Sequence, residues 1–167
     1  MKDLYNNAPP VDVLAPISKD INADGETELT SVDRKDAQAV AFSIMIGAQT
    51  THHEIADDHV ALGLMDSADD STFAIVATAD MRGWSIDGTT RTALSYEDTT
   101  NGYFKQLDAE ADANKIYEFE YIGTKRYVEV VLYKVNTGST AILVGVMARL
   151  ITPRQAGEDT VFPPLEG

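Results

Sequence analysis

The chain has 167 residues, no cysteine, and a net charge of −14 from 27 acidic and 13 basic residues. The lack of cysteine excludes disulfides and cysteine-ligated zinc, so stability has to come from packing or from assembly. The acidic charge repels polyanions and no basic run offsets it, so we expect no nucleic-acid partner. No segment approaches the roughly 18 to 20 apolar residues of a membrane helix, and none has the pattern of a signal peptide, so we expect no membrane contact.

Prolines mark both ends of the chain. Pro9, Pro10 and Pro16 lie in the first sixteen residues, and three more prolines lie in the last sixteen. Proline fixes φ and removes a backbone donor. We therefore predict an extended N-terminal arm over residues 1–16, a folded domain over 17–151 and an extended C-terminal tail over 152–167.

Alternation of apolar and polar residues predicts strands throughout the folded domain. The predicted strands cover residues 39–48, 59–65, 72–78, 115–122, 126–135 and 140–151. Between residues 115 and 122, aromatic side chains alternate with Glu118 and Glu120, so one face of that sheet should be solvated. The strand over 140–151 is apolar on both faces, which requires cover from a sandwich core or a neighbouring subunit.

Helix signals are weak. Residues 105–114 could form a turn or two, whereas the glycines and threonines of residues 80–104 indicate a long loop or an irregular hairpin. Seven or eight short strands with little helix predict an all-β fold, a β-sandwich of jelly-roll-like type. Trp84, the only tryptophan, is compatible with an interface anchor or with a core position.

Two polar segments resemble metal sites. Residues 20–25 match the opening of a calcium loop, but Ser31 stands where the bidentate glutamate belongs. Residues 52–59 hold all three histidines, but Asp57 stands where the zincin pattern needs its second histidine. We interpret both segments as polar turns and expect no metal ion.

Residues 66–71 are rich in carboxylates but have the composition of a solvated turn. No nucleophile elbow, phosphate loop or dinucleotide fingerprint occurs in the chain. We therefore expect no catalytic residue and no cofactor, and hence no enzyme.

Two long stretches of the folded domain carry a recognisable pattern. The first joins SVDRKDAQAVAFSIMIGA to ALGLMDSADDSTFAIVATADMRG, and the second is YEFEYIGTKRYVEVVLYKVNTGSTAILVGVMARLITPR. Together they resemble a family of structural proteins of tailed bacteriophages and prophages. The resemblance covers roughly residues 30–154 and is poor over 80–104. Its core is an aromatic-Ile/Val-Gly-x-Lys-Arg-Tyr-Val motif, formed here by Tyr121, Ile122, Gly123, Lys125, Arg126, Tyr127 and Val128. The family usually continues with arginine where this chain has Glu129, so no role of that arginine carries over.

The motif has a physical interpretation. Gly123 would permit a turn with positive φ. Lys125 and Arg126 are cations in an acidic chain, so we expect them to meet carboxylates within the fold or across a subunit contact.

The resemblance implies a capsid decoration or cement protein on the outer surface of the virion, synthesised in the host cytoplasm. Its expected partners are the major capsid protein and copies of itself, as a dimer or trimer. The alternatives are a head–tail connector or tail protein, and a carbohydrate- or metal-binding β-sandwich of an adhesion device. The predicted partner-binding residues are the motif cations with their aromatic neighbour and the apolar anchors of the two arms: Lys125, Arg126, Tyr127, Leu4, Tyr5, Val161, Phe162 and Leu165.

Overall fold

A computed structural model describes residues 10–21, 25–35, 37–49, 59–87, 89–94, 103–107, 112–135 and 140–151. Within these ranges the chain forms eleven strands, and its one helical element is the 3-10 turn Thr78–Asp80. The strands are β1 (Pro10–Ile21), β2 (Gly25–Asp33), β3 (Ala39–Gln49), β4 (His59–Ser67), β5 (Ala74–Ile75), β6 (Met81–Asp87), β7 (Thr90–Ala93), β8 (Lys105–Leu107), β9 (Lys115–Tyr121), β10 (Tyr127–Val135) and β11 (Thr140–Ile151).

The strands form two antiparallel sheets. Sheet A has the order β1-β11-β3-β9-β6-β7, and sheet B has the order β2-β10-β4-β5, with β8 also paired to β4. The prediction of an all-β sandwich is confirmed. In both sheets the pairing is nested, since β1 pairs with β11, β2 with β10, β3 with β9 and β4 with β5.

Period-two alternation places one face of each strand in the core between the sheets. Val40, Phe42, Ile44 and Ile46 of β3 are all buried, as the sequence predicts. Four other strands contribute to the same core, β9 and β11 from sheet A and β4 and β10 from sheet B. Their core side chains are Val60, Leu62, Leu64, Tyr117, Phe119, Tyr121, Val128, Val130, Leu132, Ile142, Val144 and Val146. Burial at this scale is the dominant favourable contribution to folding.

The N-terminal strand begins within the range assigned to the arm. β1 starts at Pro10 and pairs with β11 along most of its length. Its register is interrupted between Pro10 and Asp12 and again between Leu14 and Ile17. Prolines lie at both interruptions, which is where a strand tolerates them, and β1 is an edge strand with one side unpaired.

Two local predictions differ from the structure, and a third had left two alternatives open. The strand expected over 72–78 is reduced to the two residues of β5. The helical turn expected from residue 105 is wrong there, because residues 105–107 form β8, where Leu107 enters the core. Residues 81–93 form the β6–β7 hairpin, which matches the hairpin alternative for the 80–104 segment.

Candidate functional site

The motif over residues 121–128 forms one of the connections between the two sheets. β9 of sheet A ends at Tyr121 and β10 of sheet B begins at Tyr127, so the residues between them cross from one sheet to the other. Arg126 donates to both carboxylate oxygens of Asp33, with Nε–Oδ1 at 2.9 Å and Nη2–Oδ2 at 2.8 Å. Its guanidinium also lies 5.0 Å from the centroid of the Tyr127 ring. Arg126 therefore meets its carboxylate within the fold.

Gly123 is needed for space rather than for backbone conformation. The expectation of a positive φ at this residue is wrong, because among the glycines described by the structure only Gly25 has one. A Cβ at Gly123 would lie 2.5 Å from the hydroxyl oxygen of Tyr121. The carbonyl of Gly123 accepts a hydrogen bond from Arg34, and the backbone N–H of Lys125 donates to the Tyr121 hydroxyl at 2.9 Å. The motif thus folds tightly around one tyrosine.

Several predicted residues lie outside the described part of the chain. These are the arm anchors Leu4, Tyr5, Val161, Phe162 and Leu165, most of the His52–His59 cluster, and residues 22–24 of the calcium-like segment. Among the residues that the structure does describe, no group of three His, Cys, Asp or Glu side chains is arranged to hold a metal ion. In that same part, no helix is long and apolar enough to cross a membrane.

Asp66 and Ser67 end β4, and the turn that follows them is held by Asp69. Its carboxylate accepts hydrogen bonds from the backbone N–H groups of Ser71 and Thr72, both at 3.1 Å, and from the Ser67 hydroxyl at 2.9 Å. These donors, the N–H of Thr72 first, hold the pKa of Asp69 well below its usual range. The carboxylate serves to close the turn, as the interpretation of the segment as a solvated turn expects.

An apolar patch occupies one end of the outer face of sheet A. Met45, Ile116 and Leu143 are 41%, 38% and 42% exposed, and they stand on the adjacent strands β3, β9 and β11. Pro16 of β1 borders them, and Gly47 and Gly145 line the shallow depression between them. We call Pro16, Met45, Ile116 and Leu143 the apolar patch. Three of the five large apolar side chains that are exposed in the described residues belong to it.

A groove of about 350 Å³ lies at the other end of the same face. The Arg91 guanidinium lies 4.1 Å from the centroid of the Trp84 ring, and its Nη2 is 2.9 Å from Oε2 of Glu118. Ser43 and Arg149 complete the lining on the β3 and β11 side. The groove thus combines an indole with two carboxylates, those of Glu118 and Glu120, and two guanidinium groups.

The outer face of sheet B carries a second, smaller apolar cluster. Tyr103 crosses over this face and stacks on Tyr133, with ring centroids 4.2 Å apart and an interplanar angle of 13°. Its hydroxyl donates to Oε1 of Glu26 at 2.7 Å. Ala61, Met65 and Val131 are buried beneath it, and Phe73 packs against them.

Glu129 lies beside this cluster and is only 9% exposed. On β10 it alternates with the core residues Val128 and Val130, so its side chain is on the outer face. Burial first, and then the carboxylates of Glu28, Glu26 and Asp70, raise the pKa of Glu129 to about 7. The sequence identified this position only as a departure from the family pattern, because alternation shows a residue's face but not its neighbours in space.

No protein-family model, no curated protein and no solved structure matches this chain.

Proposed function

We propose that the protein is a non-enzymatic structural protein of a tailed-bacteriophage particle, a decoration or cement protein that binds the assembled major capsid shell from outside. The observation that supports this proposal is the apolar patch, with Met45, Ile116 and Leu143 exposed on three adjacent strands. Contiguous exposed apolar side chains on a soluble domain mark sites of protein contact. The resemblance of the motif suggests the major capsid protein as the partner, and the apolar patch offers a surface that could contact it.

The position of the patch within its strand supports a contact role. On β9, Ile116 is the outward residue at one end, whereas the next outward residues are Glu118 and Glu120. The strand therefore tolerates charge on this face, and the apolar residues are confined to one end of it. On β11, Leu143 is exposed near one end, whereas the outward residues Met147 and Arg149 toward the other end are half-buried.

The charge of the chain fits an external position. A net charge of −14 keeps the free subunit soluble and disfavours contact with packaged DNA. Copies of the chain on the shell would form a closed dimer or trimer, as symmetric particle sites favour. Synthesis in the host cytoplasm agrees with the lack of cysteine.

The test is co-sedimentation of the purified protein with undecorated heads. The full-length protein should sediment with the heads and raise their heat resistance. The double substitution Met45→Gln and Leu143→Gln should weaken binding by a factor of at least about ten, because burial of even one such side chain contributes about 1.5 kcal/mol or more. The control is Arg82→Gln with Glu120→Gln, which changes the same face outside the patch.

Two results would contradict the cement proposal. One is an intact protein that ignores heads but appears in a connector or tail fraction at about six or twelve copies, the number expected of a closed ring. The other is patch-variant binding that equals that of the control. The first result would favour the connector or tail alternative.

The Trp84 groove favours a second candidate, a carbohydrate-binding β-sandwich of an adhesion device. An indole beside Glu118 and Arg91 supplies an apolar plane next to planar hydrogen-bonding groups. Binding on a glycan array that is lost with Trp84→Ala and retained with Met45→Gln would support this candidate over the first.

A further inference from the structure

Glu129 is a buried carboxylate for which the described residues provide no counter-ion. It is nine-tenths buried, and neither a hydrogen bond nor an ion pair joins it to any described side chain. The other buried acidic residue in the described part of the chain is paired, because Asp112 lies 3.3 Å from Nζ of Lys105. A buried carboxylate without a partner is costly, because desolvation is not offset.

The groups that face Glu129 add negative charge. Glu28 and Glu26 come from β2, and Asp70 comes from the turn after β4, where it adopts a positive φ of 62°. The apolar neighbours on the same face, Met65 and Val131, exclude water from one side of the carboxylate. An ion pair formed there would be stronger than one on an open surface, because the local dielectric constant is lower.

We propose that the outer face of sheet B is a second interaction surface, on which a lysine or arginine side chain of a partner protein ion-pairs with Glu129 between Glu28 and Asp70. Charge complementarity defines the occupant, since the site offers carboxylates at a partly desolvated position and the partner supplies the cation. The inference is independent of the apolar patch, which lies on the other sheet, and of the identity of the particle.

A basic side chain fits the site better than a bare metal ion. A divalent cation such as Ca²⁺ needs six or more oxygen ligands at about 2.3 to 2.6 Å. The described carboxylates do not form such a group, and the Glu26 carboxylate is engaged by the Tyr103 hydroxyl. A lysine or arginine head needs contact with only one carboxylate and gains from the field of the others.

The test follows the Glu129 carboxyl carbon by NMR across a pH titration of ¹³C-labelled full-length protein. The probe is the peptide acetyl-Gly-Lys-Gly-amide, and its control is the same peptide with an acetylated lysine, which lacks the charge. The lysine peptide should lower the pKa of Glu129 by about 1 or more, as a cation in contact does. The acetylated peptide should leave it unchanged.

Two substitutions locate the effect. Glu129→Gln keeps the shape and should weaken peptide binding by a factor of at least about ten, whereas Asp87→Asn on sheet A removes the same charge elsewhere and should not.

A third substitution, Glu28→Lys, supplies the cation from the chain itself and should lower the pKa of Glu129 without peptide. An equal response to both peptides, no response to either, or unchanged binding by Glu129→Gln would overturn the proposal. A response to Ca²⁺ alone would overturn it in favour of a metal site.

Discussion

The Tyr121 hydroxyl donates a hydrogen bond of 2.9 Å to Oδ2 of Asp66, and this bond joins β9 of sheet A to β4 of sheet B. The same oxygen accepts a hydrogen bond from the Lys125 backbone, so one side chain ties both sheets and the connection between them. Burial, together with the Asp66 carboxylate, raises the pKa of Tyr121 above its usual range. The hydroxyl therefore stays protonated and able to donate.

Tyr121→Phe should lower the free energy of unfolding by about 1–3 kcal/mol, because it leaves the Asp66 carboxylate and the Lys125 N–H without this partner. Urea unfolding at neutral pH measures the change. The control is Tyr133→Phe, which keeps the ring stacked on Tyr103. If the two variants are equally stable, the hydroxyl does not join the sheets.

Two glycines of sheet A should respond differently to the same added methyl group. A Cβ at Gly83 would lie 2.0 Å from Cε1 of Phe104, which is buried and packed edge-on against Phe119. A Cβ at Gly47 would lie 2.7 Å from Cδ2 of Leu143, with Cγ at 3.0 Å and Cβ at 3.1 Å, but this side chain is exposed and can move by the few tenths of an ångström that are needed. Gly83→Ala should therefore cost about 1–3 kcal/mol of unfolding free energy, and Gly47→Ala less than about 1. Thermal unfolding monitored by circular dichroism compares them, and equal losses would contradict the expectation.

The sandwich could be predicted from the sequence wherever one face of a strand is apolar. In β3 and β10 the large apolar residues recur at every second position, and residues such as Phe42 and Val130 enter the core as expected. β2 was not predicted, because in Gly25–Asp33 the inward residues Leu29 and Val32 are separated by a register shift against β10. A bulge of this kind breaks period two, and with it the signal that identifies a strand.

The candidate surfaces could be predicted only in part. The apolar outward residues of β11 indicated an exposed apolar side chain on this strand, and Leu143 of the apolar patch is one. The sequence predicts that the cations of the motif contact carboxylates, and Arg126 forms an ion pair with Asp33. The group of carboxylates around Glu129 could not be predicted. Glu28 and Asp70 are distant from Glu129 in sequence, and only the sheet pairing and the turn after β4 bring them close to it.

Arg126→Gln should raise the pKa of Asp33. The Arg126 hydrogen bond is the main cause that lowers this pKa to about 2 from an ordinary 3.8. In the native protein the pair therefore contributes stability above pH 3.8, and the contribution is lost as the pH falls through about 2. In the variant the pKa should move toward 3.8, remaining below it because the Lys35 backbone still donates to Oδ1. NMR titration of the Asp33 carboxyl carbon measures the shift, with Arg82→Gln as a control that should leave it in place.

Glu129→Gln should make the protein more stable above neutral pH. In the folded protein the pKa of Glu129 is about 7, against an ordinary 4.5. Because folding raises this pKa, protonated Glu129 contributes to the free energy of unfolding. This contribution is fully present below pH 4.5 and is lost as the pH rises through about 7. Near pH 8 the variant should exceed the native protein by about 1–2 kcal/mol, since each pKa unit corresponds to about 1.4 kcal/mol and solvent screens part of the repulsion. Near pH 4 the two should agree.

Urea unfolding of both proteins from pH 4 to pH 8 measures this difference. Asp87→Asn is the matched control, because it removes one negative charge from the exposed end of β6 on the other sheet. If the control gains as much stability at pH 8 as Glu129→Gln does, the gain reflects the net charge of −14 rather than the burial of Glu129 among its neighbouring carboxylates. Ionisation of Glu129 makes the stability difference between Glu129→Gln and the native protein grow between pH 4.5 and 7. A stability difference that stays constant across the pH range would therefore show that packing, and not ionisation, is its cause.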